Sequence, residues 1–172
     1  LAVHEVTRDP RFIAMAKDAA DWTLTWMYFH NIDLRPESGL LHEHLRTVGW
    51  TFISRQNQEI GAFAYFFAPD YYRLGQVAND ERYRQIGRVL FEASTQTLSR
   101  PGAMFGPVPG IQGEHYNHSN CTFIPGQPWR GSQHSLGISW MVAGVLYGGM
   151  RMAELDPEHF WFGPPATVKP TP

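Results

Sequence analysis

A single cysteine, Cys121, rules out an intrachain disulfide, so no part of the fold can rest on such a staple. Long hydrophobic runs are missing as well. The longest, residues 136–150, carries four glycines and falls short of the roughly 20 apolar residues a membrane-spanning helix needs. The opening residues show no run of positive charge, apolar stretch and small residues of the kind that marks a secretory leader. Charge of one sign is scarce: the formal net charge is −2, and the 12 arginines and two lysines are scattered along the chain. A phosphate-binding basic face is therefore not expected, and neither a nucleic acid nor a membrane is the expected partner. There is no internal repeat and no block of like charge. A single cysteine is compatible with a reducing compartment, and the expected location is the cytoplasm.

What is present fits one folded unit. At 172 residues, folding buries about two-thirds of the surface the unfolded chain exposes. The composition, 43% hydrophobic and 14% aromatic, supplies a core without help from metals or cross-links. The expected organisation is a single α/β domain over residues 1–162 and a tail over residues 163–172, where Pro164, Pro165, Pro170 and Pro172 favour extended chain.

Residues 1–6 (LAVHEV) alternate as a short strand would. Asp9 and Pro10 form a helix start, and Met15, Ala19, Trp22, Trp26 and Phe29 follow at alternating steps of four and three, one continuous helical stripe. The stripe predicts the buried face of a helix over residues 12–29. Ser38 can cap a short helix that carries Leu40, Leu41, His44, Leu45 and Val48 and ends at Gly49. Residues 50–55 (WTFISR) and 60–67 (IGAFAYFF) flank a polar turn and predict a β-hairpin. The second strand is apolar on both faces, as inside a covered sheet. Pro69 and Asp70 break that run, and residues 72–78 predict a third strand. Asn79 and Asp80 precede a helical face of Tyr83, Ile86, Leu90, Ala93 and Thr97. Residues 103–108 predict a further strand and residues 136–152 one or two late strands. Between them, residues 106–131 are rich in Pro, Gly, Asn and His and predict a long loop that lines a cleft or an interface. The fold class expected is α+β: one central, mainly antiparallel mixed sheet flanked by helices.

That order of elements resembles the GNAT superfamily of acyl-CoA-dependent N-acyltransferases. Residues 76–94 read QVANDERYRQIGRVLFEAS, and their phrase from Arg82 to Arg88 is similar to the family's Arg/Gln-x-x-Gly-x-Gly/Ala turn, with Gln85 at the middle position and Gly87 at the last. The physics of such a turn is that successive amides at a helix amino end cradle a pyrophosphate, and glycine lets it approach the main chain. The resemblance implies a GNAT-like fold and acetyl-CoA or another acyl-CoA as co-substrate, bound at Arg82, Arg84, Gln85, Ile86, Gly87 and Arg88. It implies transfer of the acyl group to an amine, with Tyr116 as the acid that protonates the leaving thiolate and Glu59 or Asp80 as nominal bases.

Other residues leave alternatives open. His42 and His44 diverge on a helix. His115 and His118, with Glu114 and Cys121 nearby, lack the converging set that a metal at about 2 Å demands, and no metal is expected. Two different functions remain in play. One is an aromatic-lined small-molecule-binding or cyclase-like domain, with the stripe and Phe63, Tyr65 and Phe67 lining its pocket. The other is a subunit that docks a protein partner or a second copy through the loop at residues 106–131.

Overall fold

The computed structural model describes residues 1–52, 59–99, 110, 112–113, 115–117 and 139–160. Among these residues the chain is mostly helical, with six helices and one small antiparallel sheet. The expected α+β architecture, a central sheet flanked by helices in the manner of the GNAT fold, is overturned.

The helices are α1 (Ala2–Thr7), α2 (Arg11–Leu24), α3 (Gly39–His42), α4 (Ala64–Val77), α5 (Glu81–Thr95) and α6 (Ser139–Leu155). The strands are β1 (Thr51–Phe52), β2 (Glu59–Gly61) and β3 (His115–Asn117), in the order β1-β2-β3. Thr51 pairs with Gly61 and Phe52 with Ile60, so the expected hairpin contributes its base. Its turn, residues 53–58, lies outside the described residues. The strand expected at residues 103–108, most of the loop at 106–131 and the tail at 163–172 also lie outside them.

Three expected strands are helical. Residues 2–7 form α1. The strand expected at 60–67 stops at Gly61, and α4 runs unbroken through the residues read as its end, the Pro69-Asp70 break and the third strand. A proline inside a helix removes one backbone donor and costs about 3 kcal/mol in an exposed helix. Here Pro69 is buried, as are Tyr65, Ala68 and Tyr72 of the same helix, so burial of this stretch opposes that cost. Of the late strands expected at 136–152, residues 139–152 belong to α6, whose Gly144 and Gly148 serve close helix packing. A Cβ at Gly148 would lie 2.8 Å from the Tyr65 carbonyl oxygen of α4, and one at Gly144 would run into the Tyr65 ring.

α4 is the hub. At about 100° per residue its faces point to different neighbours. Ala68, Tyr72 and Gly75 meet α5: a Cβ at Gly87 would stand 2.7 Å from the Ala68 carbonyl oxygen, and one at Gly75 would stand 2.7 Å from the Arg84 nitrogen. Tyr65 and Gln76 meet α6, where Gln76 Nε2 donates to the Leu155 carbonyl at 3.2 Å. Tyr71 meets α2, donating its hydroxyl hydrogen to the Ala20 carbonyl at 2.6 Å.

α2 begins where the sequence placed it, with Asp9 Oδ1 accepting from the Arg11 amide at 2.9 Å. The helix ends at Leu24 rather than reaching residue 29, and its predicted buried face is reversed. Met15, Trp22 and Phe29 are 62%, 65% and 69% exposed, and Trp26 is exposed as well. The packed side is Ile13, Ala16, Ala20 and Leu24, which also follow helical steps. These four residues are half-buried, and none of α2 is fully buried. α3 is capped by Ser38, whose Oγ accepts from Leu40 N at 3.2 Å, but it ends at His42, well before Gly49. α5 matches its pattern: Tyr83, Leu90, Ala93 and Thr97 are buried and Ile86 is half-buried.

Candidate functional site

The residues of the implied cofactor turn lie along α5, and each has a local partner. Asp80 is the helix N-cap, and its Oδ1 accepts from the Arg82 amide at 3.0 Å. A carboxylate therefore already occupies the amino end where an anion would dock, with Glu81 beside it in the first turn. Arg82 lies over the Tyr83 ring at 4.5 Å, and its Nη2 reaches Asp21 at 3.4 Å. Arg84 pairs with Glu81 at 3.2 Å, and Gln85 donates to the same carboxylate at 3.1 Å. Ile86 helps line a small apolar pocket with Met27, Tyr28 and Leu90. Gly87 is buried against α4 rather than open to a ligand. Arg88 donates from Nε to the buried Asp156 carboxylate at 2.7 Å, and its guanidinium lies 5.4 Å from the Tyr72 ring centroid.

The other implied residues lie on the sheet. Glu59 opens β2 opposite Asn117. Tyr116 is 1% exposed, packs edge-on to Trp50 with centroids 6.1 Å apart, and its hydroxyl accepts from the Gly113 amide at 2.9 Å. The structure gathers Asp80 and residues 82–88 on one helix, and Glu59 and Tyr116 on neighbouring strands. Of the histidine clusters, His115 forms part of β3, while Glu114, His118 and Cys121 lie outside the described residues. Among the described residues, no three His, Cys, Asp or Glu side chains converge as metal ligands, and no helix is long and apolar enough to cross a membrane.

A different place has the shape of a ligand site. A cleft of about 470 Å³ opens between α1, α2 and α4, within the range typical of small-molecule pockets, roughly 300–1,000 Å³. Its apolar walls are Ala16, Ala19 and Ala20 of α2, with Phe67 and Leu74 of α4. Thr23, Asp70, Tyr71 and Arg73 bring polar groups to it. Arg73 is ion-paired with Glu5 of α1, which fixes the guanidinium at the cleft wall. Burial pushes the Tyr71 phenol up to about 12, with the Thr23 hydroxyl opposing and the Asp21 carboxylate adding to the rise. Tyr71 therefore stays a neutral donor across the physiological range. Asp70 is exposed and has neither an ion-pair nor a hydrogen-bond partner among the described residues.

Two features of the aromatic-pocket alternative meet here: Ala19 of the α2 stripe and Phe67 both line the cleft. Tyr65 does not, because α6 buries it, and Phe63 is half-buried at the start of α4. Sequence reasoning passed over Asp70, Tyr71, Arg73 and Thr23. The available signal was the helical spacing of Phe67, Tyr71 and Leu74, which continues across Pro69. Searches against protein-family models, curated proteins and solved structures gave no match, so the chain's own geometry carries the functional argument.

Proposed function

We propose that the chain is a small-molecule-binding domain and that the cleft between α1, α2 and α4 is its ligand site. The observation that carries this reading is the convergence of Asp70, Tyr71 and Arg73 on alanine and phenylalanine walls in one cleft of ligand size. An apolar body would lie on the walls, and the polar groups would fix its orientation. The test is a ligand-observed magnetic resonance screen of small aromatic and aliphatic compounds, run in parallel on Ala19→Trp. Ala19 is exposed at the cleft, so an indole there fills the space without entering the core. Hits that bind the wild type and are lost in Ala19→Trp support the reading. Hits that bind both proteins equally refute it.

Acyl-CoA-dependent N-acyl transfer is the competing proposal, and the feature that speaks for it is the exposed Arg82 and Gln85 in the early turns of the 15-residue α5. It requires acetyl-CoA to displace the Asp80 cap or to bind around it. Calorimetry with acetyl-CoA separates the two, because only this second reading expects heat of binding that Arg82→Ala reduces.

A further inference from the structure

We propose that the cleft selects an organic ammonium: a ligand whose protonated amine sits on the Asp70 carboxylate while its apolar body lies on Phe67 and the alanine face of α2. This rests on the cleft being the ligand site and adds the chemical class. Charge decides between cation and anion. Two side chains of opposite charge line the cleft, Asp70 and Arg73, alongside Leu1 and Ala2 at the start of α1. The Arg73 guanidinium is already neutralised by Glu5, whereas Asp70 has no partner among the described residues. An anionic ligand would have to compete with Glu5 for Arg73 and would also face the Asp70 carboxylate. A cation meets an unpaired carboxylate and finds an aromatic ring beside it. Phe67, 38% exposed, presents such a ring, and aromatic faces attract cations through their quadrupole. The Tyr71 hydroxyl adds no rival charge, because its hydrogen is donated to the Ala20 carbonyl.

The test uses three probes that share one phenyl body: phenethylammonium, 2-phenylethanol and phenylacetate. Calorimetry on the full chain should rank the ammonium tightest and phenylacetate weakest. Asp70→Asn should weaken phenethylammonium about fivefold, the upper end for a partly exposed charge pair, and leave 2-phenylethanol within about twofold. The ranking on the wild type stands even if the variant folds poorly. Phenylacetate binding as tightly as the ammonium overturns the inference, as does a folded Asp70→Asn that binds phenethylammonium like the wild type. Binding of none of the three overturns it too. In each case the broader reading survives if other screen hits are still lost in Ala19→Trp, and it fails if no hit depends on that position.

Discussion

Gly87→Ala separates a glycine that stands in a ligand cradle or on an ordinary helix face from one that sets a helix–helix distance. On an isolated helix the change is favourable by up to about 1 kcal/mol, because glycine is the costlier helix residue. In this fold the new methyl would lie 2.7 Å from the Ala68 carbonyl oxygen, 2.8 Å from the Tyr72 nitrogen and 3.0 Å from Tyr72 Cβ. Two of those atoms belong to the backbone of α4, so no side chain can swing aside and the two helices must part. Overpacking of this kind costs about 1–3 kcal/mol, and separation would also loosen the facing contact where Gly75 lies against Arg84. Set against the propensity gain, the expected net loss is roughly 1–2 kcal/mol. For a chain of this size each kcal/mol moves the melting midpoint by about 2–4 °C. Thermal and denaturant unfolding of the wild type and Gly87→Ala read the effect directly. A variant that is as stable as the wild type, or more so, would mean that α4 and α5 do not approach this closely, and the hub role of α4 would fail.

Two further outcomes follow from buried polar groups. Asp156→Asn should destabilise the chain by about 1–3 kcal/mol in denaturant titration, because it removes the charge that the Arg88 guanidinium faces at 2.7 Å and links the end of α6 to α5; an unchanged midpoint would contradict that linkage. Tyr71 carries a pH signature. Its phenol is raised from the ordinary 10.0 to about 12, so the folded chain prefers the neutral form. The stability this contributes is fully present below pH 10 and is lost as pH rises through about 12. Tyr71→Phe should cost about 1 kcal/mol at neutral pH through the lost bond to the Ala20 carbonyl, and should flatten the alkaline fall in stability. An alkaline limb identical in the two proteins would contradict the assignment.

The parts of the fold that were legible in the sequence are those where local chemistry and packing agree. Asp80 caps α5, and the stripe after it is the stripe that is buried. Ser38 caps α3, and residues 51–52 and 60–61 pair as the hairpin pattern requires. Elsewhere tertiary packing overrode the local signal. Phe63, Tyr65, Phe66 and Phe67 have strand-like preferences and Pro69 is a helix breaker, yet α4 forms because its faces are needed by α2, α5 and α6 at once. The α6 glycines read as turn formers, whereas Gly144 and Gly148, four apart, share one helix face and admit Tyr65. On α2 two apolar stripes compete, and periodicity alone does not say which one meets the core. The cleft was not legible because its walls come from residues 1–2, 16–23 and 67–74, which no sequence spacing connects.

Ligands that enter the cleft between α1, α2 and α4 rather than the amino end of α5 should perturb different amides. Amide-resolved magnetic resonance on the isotopically labelled chain tests it, with phenethylammonium and acetyl-CoA titrated separately. Phenethylammonium should shift the amides of Ala16, Ala19, Ala20, Thr23, Asp70 and Tyr71 in a saturable way, while acetyl-CoA leaves Asp80, Arg82 and Gly87 in place. Saturable shifts centred on Asp80, Arg82 and Gly87 with acetyl-CoA, and none in the cleft with phenethylammonium, would contradict it.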